Sequence, residues 1–232
     1  EEMLGVDMSV FLPANLSLYG FSKYNNETDD WAEHSYELSV PIGSVNFKPY
    51  YQHFNYEGYF DTGANAVSPF NWLSQTSEKL TAYGADALWQ LDDAWTLGAK
   101  AKFFSYDELD NAETYSILVT WQGEGLTQYG GEIGHTSAND TANNDYTLVR
   151  LYGYCDAMAG RFWLDFVSAD MLLTFYDEDI YGEDSSFFLS LGAGKRFLND
   201  ALSITLSGDY SQDPYFDDDL RGMLTMSYAY DK

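Results

Sequence analysis

Apolar and polar residues alternate with a period of two along several long segments of this chain. The clearest segments are Trp95–Phe103, Tyr115–Trp121, Leu202–Tyr210 and Gly222–Tyr230. In the third segment the apolar set is Leu202, Ile204, Leu206 and Tyr210, and the polar set is Ser203, Thr205, Ser207 and Asp209. This period is typical of strands with two different faces, and no stretch of comparable length has a convincing period of 3.6. The pattern therefore predicts an all-β protein.

Turn residues divide the chain into about twelve predicted strands, each taking roughly nineteen residues with its connection. Their approximate ranges are 15–24, 31–41, 45–60, 79–91, 94–107, 113–124, 125–138, 146–158, 159–175, 186–198, 201–212 and 219–231. Soluble sandwiches turn about every 8–12 residues, whereas outer-membrane barrels use strands of about ten residues with longer loops at one end. The spacing favours a barrel.

The predicted connections alternate in kind. Those after the even-numbered strands are tight: Pro41–Ser44, Leu91–Ala94, Gly123–Gly125, Ala157–Gly160 and Leu198–Ala201. Those after the odd-numbered strands are longer, polar and acidic: Asn25–Asp30, Asp61–Glu78, Asp107–Glu113, Asn139–Asp145, Asp177–Ser185 and Asp213–Asp219. An even strand number with this alternation predicts a closed antiparallel transmembrane β-barrel of about twelve strands, with short periplasmic turns and long acidic extracellular loops.

Aromatic residues cluster near both predicted ends of the strands. Those near tight turns are Trp89, Trp95 and Trp121, and those beside the longer loops are Tyr24, Trp31, Tyr106, Tyr115 and Tyr146. Two belts of amphipathic rings are what two membrane–water interfaces select. The alternative is a soluble sandwich whose strands end in ordinary buried rings.

No shift in composition marks a domain boundary within residues 15–232, which we interpret as the barrel. Residues 1–14 alternate only partly, and form a periplasmic tail, a plug or an extra strand. No run of 18 apolar residues is present, so no membrane-spanning helix is expected. The chain does not open on a charged segment followed by an apolar one, so for an exported protein the signal peptide has already been removed.

The composition excludes several classes of function. The formal net charge of −26 argues against a nucleic-acid binder, because binding phosphates needs a surface of lysine and arginine. A single cysteine excludes a disulfide framework, a cysteine-rich metal site and a covalent haem attachment motif. We therefore expect no cofactor.

If the apolar face of each strand meets lipid, the other face lines a lumen. Lysine or arginine facing lipid costs about 2–4 kcal/mol at the bilayer midplane, so charged residues in the strands are expected to face inward. The predicted pore-lining residues are Lys100, Lys102, Arg150, Arg161, Arg196, Asp86, Glu132, Asp165 and Asp209, with Glu33 and Glu37 on the same face. These charges either set ion selectivity or close the barrel as interlocked ion pairs.

The predicted outer loops hold most of the excess negative charge. They form a solvated rim, dock a positively charged partner, or bind a hard cation such as Ca²⁺. Asp177–Gly182 begins like a calcium loop, which makes Asp177, Asp179 and Asp184 the candidate ligands. Position twelve of that loop is Phe188, where a bidentate glutamate is needed.

The sequence contains few candidate catalytic residues. No nucleophile elbow and no zinc-protease motif is present. His135 and Ser137 are two residues apart, which places them on one face of a strand, as a catalytic dyad requires. His34 and His53 are interpreted as scattered structural or rim residues rather than metal ligands, and Cys155 as a packing residue. We therefore expect no enzymatic activity.

The alternating strands, the rings at Trp89, Trp95 and Trp121, and the closing run Met226–Tyr230 together resemble the porin-like outer-membrane β-barrel superfamily of Gram-negative bacteria. The resemblance is one of architecture over nearly the whole chain, and the terminal Asp231–Lys232 departs from the aromatic ending of that superfamily. It implies an outer-membrane location, in contact with lipid and lipopolysaccharide. The tyrosine-rich, acidic style is also similar to barrels that sheathe multihaem cytochromes.

The leading functional hypothesis is a narrow passive channel for small hydrophilic solutes or ions. The first alternative is a structural barrel that sheathes or docks a partner, such as a multihaem cytochrome or a surface protein. The second alternative is a lipid-modifying barrel enzyme that uses His135 and Ser137.

Overall fold

Thirteen strands form one antiparallel sheet in the computed structural model, which describes residues 2–55, 79–107, 111–138, 145–156, 163–214 and 216–229. Each strand pairs with the next along the chain, so the order in the sheet is the order in the sequence. The strands are β1 Met3–Leu12, β2 Leu16–Asn25, β3 Asp30–Ile42, β4 Val45–Asn55, β5 Lys79–Gln90, β6 Trp95–Tyr106, β7 Ala112–Gln122, β8 Gln128–Ala138, β9 Tyr146–Cys155, β10 Phe166–Ile180, β11 Glu183–Phe197, β12 Leu202–Asp213 and β13 Phe216–Tyr228. Among the described residues, the one helical segment is the short 3₁₀ turn Pro13–Asn15.

The contacts of the chain divide it into two units. Unit 1 comprises Glu1–Trp89, Gly98–Tyr115 and Thr136–Asn143, and unit 2 comprises Gln90–Leu97, Ser116–His135 and Asn144–Lys232. Strands β5 to β8 contribute residues to both units.

The prediction of an all-β protein is confirmed, and each of the twelve predicted strands is present. The thirteenth strand is β1, which lies in the segment for which the sequence left three alternatives and pairs with β2 from Met3↔Asn25 to Leu12↔Leu16. In the order of the sheet β1 and β13 are the end strands, each with a single neighbour. The sheet is not closed among the described residues, which differs from the closed ring of even strand number expected from the sequence.

The expected segregation of short and long connections is wrong for the later hairpins. The predicted loop Asp177–Ser185 is largely strand, because β10 and β11 continue until only Tyr181 and Gly182 separate them. Both residues have positive φ, of 53° and 91°, as a two-residue turn of type I′ requires. The β12–β13 connection is also two residues long. The predicted tight turn at 157–160 lies outside the described residues. The prediction failed because acidic residues were read as loop where they occupy strands.

The ladder of β1 to β5 in unit 1 separates two sets of side chains. The register Met8↔Gly20↔Tyr36↔Tyr51↔Tyr83 defines the first set. Its members on β1, for example, are Leu4, Val6, Met8, Val10 and Leu12. Charge appears in this set only toward the ends of the strands, where Lys79 at the start of β5 lies 3.8 Å from the carboxylate of Asp30 at the start of β3. The opposite set holds Asp7, Lys23, Glu33, Glu37, Lys48 and Asp86.

The ladder of β9 to β13 in unit 2 separates its side chains in the same way. The register Leu151↔Met171↔Leu189↔Tyr210↔Leu220 defines the apolar set. Its charged members lie toward the strand ends, with Lys195 near the end of β11 and with Glu183 and Asp218 near the start of β11 and of β13. The opposite set holds Arg150, Asp170, Arg196, Asp209, Asp219 and Arg221. Each unit therefore has one apolar face and one charged face, as the alternation in the sequence predicts.

The apolar faces are exposed rather than packed into a core. Leu206 is 63% exposed, Leu224 71%, Met226 72% and Ile117 63%. The buried hydrophobic residues in the described part of the chain are Ala32, Ala82, Ala112 and Phe166. A soluble sheet buries its apolar face against a second layer, and monomeric soluble proteins rarely expose apolar patches larger than a few hundred Å². Unlike the sheet of a soluble protein, this sheet leaves its apolar side chains exposed, and we call this arrangement inside-out.

Aromatic rings lie over glycines of the neighbouring strand at five places. The pairs are Tyr36 over Gly20, Tyr50 over Gly84, Tyr129 over Gly153, Tyr152 over Gly130 and Phe166 over Gly194. At each of these glycines a Cβ atom would overlap the ring. Three of the pairs are direct cross-strand partners, namely Tyr36↔Gly20, Tyr50↔Gly84 and Phe166↔Gly194. The glycines therefore let large rings lie flat along the sheet, which fixes the register of the strands.

Candidate functional site

The charged face of unit 1 gathers three of the predicted pore-lining residues. The Lys102 Nζ atom lies 4.8 Å from the centre of the Phe104 ring and 5.9 Å from that of Tyr50, both within cation–π range. Asp86 acts electrostatically on Lys102 and is the direct cross-strand partner of Lys48. Lys100 is two residues from Lys102 on β6, so it follows the same set. Lys102 and Asp86 therefore lie close enough to interact electrostatically.

Two ion pairs join neighbouring strands on this face. Lys23 Nζ lies 2.8 Å from Glu33 Oε2, between direct partners of β2 and β3. Lys48 Nζ lies 3.4 Å from Glu37 Oε1, between β4 and β3. The sequence placed both glutamates on this face, but it did not single out the two lysines. All four side chains are at least partly exposed, so each pair is worth only about 0.2–1 kcal/mol.

The charged face of unit 2 is built around Arg150. Its guanidinium binds both carboxylate oxygens of Asp170, with Nε to Oδ1 at 2.9 Å, and lies 5.3 Å from the centre of the Tyr152 ring. Glu132 acts electrostatically on the same guanidinium and accepts a hydrogen bond from Ser116 Oγ at 2.6 Å. Two-point binding holds the flat guanidinium in one orientation. Glu132 therefore lies within electrostatic range of Arg150, and Asp170 is the direct partner of Arg150 that the sequence analysis did not name.

Arg196 and Asp165 lie at the end of the sheet where β10 begins and β11 ends. Arg196 donates to Tyr154 Oη at 2.9 Å and lies 3.8 Å from Asp156 Oδ2. Asp165 precedes β10 rather than lying in it. It accepts a hydrogen bond from the Arg196 backbone N–H at 2.7 Å and lies 3.4 Å from Lys195 Nζ. The Arg196 N–H in the first place, and Lys195 with it, hold the pKa of Asp165 below its usual range.

Two predicted pore-lining residues remain. Asp209 on β12 is the direct cross-strand partner of Arg221 on β13, so the two share the charged face. Arg221 forms an ion pair with Asp219 of its own strand. Arg161 falls outside the described residues.

Basic and acidic residues are nearly equal in number along the regularly paired stretches of these faces, and Glu132 and Asp156 add negative charge in unit 2. In the registers of β9 to β13, Arg150, Arg196 and Arg221 stand against Asp170, Asp209 and Asp219. In unit 1, Lys23, Lys48, Lys100 and Lys102 stand against Asp7, Glu33, Glu37 and Asp86. The chain as a whole has a charge of −26, so its excess of acidic residues lies away from these registers.

The calcium site considered from the sequence is not formed. Asp177 and Asp179 lie in β10 and Asp184 in β11, in a hairpin with a two-residue turn, so no twelve-residue loop surrounds an ion. Asp184 accepts a hydrogen bond from Ser185 Oγ at 2.8 Å. No group of three or more His, Cys, Asp or Glu residues in the described ranges could hold a metal ion.

The residues considered for catalysis lie on the apolar face. His135 Nδ1 lies 3.1 Å from Thr147 Oγ1 of β9, and Ser137 lines a small cavity with Tyr83 and Phe103. Cys155, the single cysteine of the chain, lies next to Tyr129. These contacts supply no activated nucleophile, and the structure gives the lipid-modifying alternative no specific support.

No helix in the described ranges is long and apolar enough to cross a membrane. No protein-family model, curated protein or solved structure matches the chain. The function is therefore inferred from the geometry of the apolar and charged faces.

Proposed function

We propose that this chain forms the wall of a closed transmembrane β-barrel in the outer membrane of a Gram-negative bacterium, with a narrow passive channel for small hydrophilic solutes or ions inside. One observation carries the proposal: large apolar side chains alternate with charged ones, and the apolar ones are exposed. In a bilayer those side chains meet hydrocarbon, while the charged face meets water. The proposed partners of the apolar face are outer-membrane lipid and lipopolysaccharide.

Closure of the ring is supported by the condition of its two end strands. Soluble proteins protect edge strands with charges, prolines or bulges. On β1 the charged residue is Asp7, and Gly222–Tyr228 of β13 contains neither a charge nor a proline. Unpaired backbone groups cannot face hydrocarbon, so both edges need a partner in the membrane. We propose that β1 and β13 pair with each other.

The odd number of strands determines whether β1 and β13 would pair in parallel or antiparallel. Neighbouring strands are antiparallel, so β1 and β13 run the same way and would pair in parallel. Membrane barrels with an odd strand number exist. Apolar positions must stay on one face, so Leu4, Val6 and Val10 of β1 would lie on the same side of the sheet as Leu220, Leu224 and Met226 of β13.

The channel is proposed to pass along the charged faces. Barrels of eight strands are filled by side chains and those of sixteen leave an aqueous channel, so thirteen strands allow a narrow one. The nearly balanced charges along the paired stretches would leave the channel wall without a strong preference for cations or for anions. The lysines of β6 would then be a main determinant of selectivity.

Single-channel recording in planar bilayers tests the channel. The wild type is expected to give discrete unitary currents, which an open sheet cannot sustain. The variant Lys100→Glu/Lys102→Glu should shift the cation-to-anion permeability ratio about fivefold toward cations, the effect of about 1 kcal/mol on the barrier.

The variant Lys100→Gln/Lys102→Gln removes the charge at nearly unchanged size, so it should produce about half of that shift in free energy. If neither variant changes the cation-to-anion permeability ratio, β6 does not line the conducting path. Folded, inserted protein that passes no current would exclude a channel.

The ion pairs between neighbouring strands favour one alternative, a structural barrel that sheathes or docks a partner such as a multihaem cytochrome. Arg150–Asp170, Lys23–Glu33 and Lys48–Glu37 neutralise one another along the wall, as a wall closed by ion pairs would require. Recovery of a stoichiometric cytochrome or surface protein from solubilised membranes, together with absent current, would support this alternative over the channel.

A further inference from the structure

A row of four polar residues crosses the apolar face of unit 1. Ser22, His34, His53 and Thr81 lie on β2, β3, β4 and β5, and each is the direct cross-strand partner of the next. Polar groups placed in an apolar face cost free energy unless they are satisfied. The row therefore needs an explanation that the channel does not provide.

The row is arranged almost symmetrically about its two imidazoles. His34 Nδ1 lies 2.8 Å from Ser22 Oγ, and His53 Nδ1 lies 3.0 Å from Thr81 Oγ1. The Ser22 hydroxyl is held in turn by Tyr36 Oη at 2.5 Å. Each outer hydroxyl thus fixes the Nδ1 side of the imidazole next to it.

The hydroxyls leave the same nitrogen of each ring available. When Nδ1 donates its proton to the hydroxyl, the lone pair of that neutral imidazole is on Nε2. Histidines that bind metals usually donate their other ring N–H to a neighbouring acceptor in this way, which sets the tautomer and the ring orientation. The row therefore presents two oriented Nε2 donors side by side.

The separation of the rings fits one shared ion. Two imidazoles that bind one metal through Nε2, with bonds of about 2.0–2.1 Å, have ring centres about 4.5 Å apart at an N–metal–N angle of 90° and about 6.4 Å apart at 180°. The centres of His34 and His53 are 6.0 Å apart, and the ring planes are inclined by 33°. The observed distance lies within this range, so rotation of the two rings about their side-chain bonds would bring both nitrogens onto one ion.

We propose that His34 and His53 form a two-imidazole site for a divalent transition metal, with Cu²⁺ bound most tightly. Imidazole suits copper, nickel and zinc, and affinity for such ions peaks at Cu²⁺. The described residues offer no third histidine, cysteine or carboxylate in the group, so water fills the other positions and the ion remains exchangeable. The site lies within unit 1 and does not depend on the channel.

The row lies near the end of its strands, where ions can reach it. Ser22 is three residues from the end of β2, and His53 is two residues from the end of β4. The centre of the Trp31 ring lies 4.8 Å from that of His34, and Trp31 is 45% exposed. Tryptophan is enriched where a membrane protein meets the water interface.

Cu²⁺ titration of the full chain in detergent micelles, followed by electron paramagnetic resonance, tests the site. The chain contains three histidines, so His135 provides a matched control. The wild type is expected to bind one Cu²⁺ with splitting from two nitrogens. His34→Gln and His53→Gln should each lose one nitrogen and at least about tenfold in affinity, while His135→Gln should change neither.

Folding of each variant is checked by its far-ultraviolet circular dichroism and by the gel mobility of the unheated protein. A copper spectrum with oxygen ligands only would overturn the proposal, because the acidic side chains would then hold the ion. Equal binding by the wild type and by folded His34→Gln and His53→Gln would also overturn it.

The two hydroxyl residues are positioning residues in this account. Ser22→Ala and Thr81→Ala should weaken Cu²⁺ binding by about 10- to 100-fold while both nitrogens remain in the spectrum. Ser22→Thr should restore most of the affinity, because it restores the hydroxyl. Ser35→Ala, on the opposite face of β3, should have no effect. Loss of copper binding in Ser35→Ala, or none in Ser22→Ala, would contradict this role.

Discussion

Leu206→Arg is expected to lower the free energy of folding into lipid bilayers by about 2–4 kcal/mol, the cost of arginine on the lipid face near the bilayer midplane. Leu206 lies near the middle of β12, is 63% exposed, and has Ala193 and Leu224 as its neighbours on the apolar face. In water, an arginine at so exposed a position would cost almost nothing. The measurement is denaturant unfolding of protein refolded into phosphatidylcholine vesicles.

Ser207→Arg is the matched control, because Ser207 is the next residue on β12 and lies on the charged face. It should cost much less, since its side chain would meet water and the neighbouring carboxylates. Equal costs for the two variants would mean that the two faces do not meet different solvents. A soluble, monomeric Leu206→Arg protein in detergent-free buffer would contradict the membrane assignment.

Gly194→Ala is expected to lower the free energy of unfolding by about 1–3 kcal/mol, as overpacking in a close-packed site does. The added Cβ would overlap the ring of Phe166 and lie 2.8 Å from the backbone oxygen of Ile204. A ring can rotate away, but a ladder oxygen moves only with its strand. The same unfolding assay measures the effect.

Gly208→Ala is the control for the general effect of replacing glycine in a strand. At Gly208 the nearest atom to the new Cβ is the Arg221 backbone oxygen at 3.6 Å, an ordinary contact. That variant should be neutral or slightly stabilising, because alanine restricts the unfolded chain. If Gly194→Ala changes the free energy of unfolding no more than Gly208→Ala does, the ring of Phe166 does not pack over Gly194.

The strands could be predicted because their period of two is local information. Leu202–Asp213 shows it without any knowledge of its neighbours, and β12 spans those residues. β1 was left open because Met3–Leu12 has polar residues at only some alternate positions. The later turns were missed because the acidic residues of 177–184 resemble a solvated loop, although Tyr181 and Gly182 supply the conformation for a tight turn.

The residues of the charged face could be predicted from the sequence, but the ion pairs that they form across neighbouring strands could not. Alternation places Arg150 and Lys102 on that face whatever the register. Which carboxylate meets Arg150 depends on the pairing of β9 with β10, and a shift of one residue would move every side chain to the other face. Asp170 was visible between Ala169 and Met171 as a polar residue in an alternating strand, and this signal was missed.

The row at His34 and His53 shows the same limit more clearly. In the sequence these are single histidines, nineteen positions apart, and nothing local connects them. Pairing of β3 with β4 makes them direct partners, and pairing with β2 and β5 adds a hydroxyl beside each ring. Proximity across strands is a property of register, which single-sequence patterns do not carry.

A cysteine scan of β12 in lipid vesicles is the most direct test of the inside-out sheet. Cys155→Ser gives a cysteine-free background, and single cysteines at positions 202–210 would carry a fluorescent label. The account predicts a period of two: quenchers in the lipid tails reach the even positions, and water-soluble quenchers reach the odd ones. Even positions shielded from both quenchers would place the apolar face in a protein core and contradict the account.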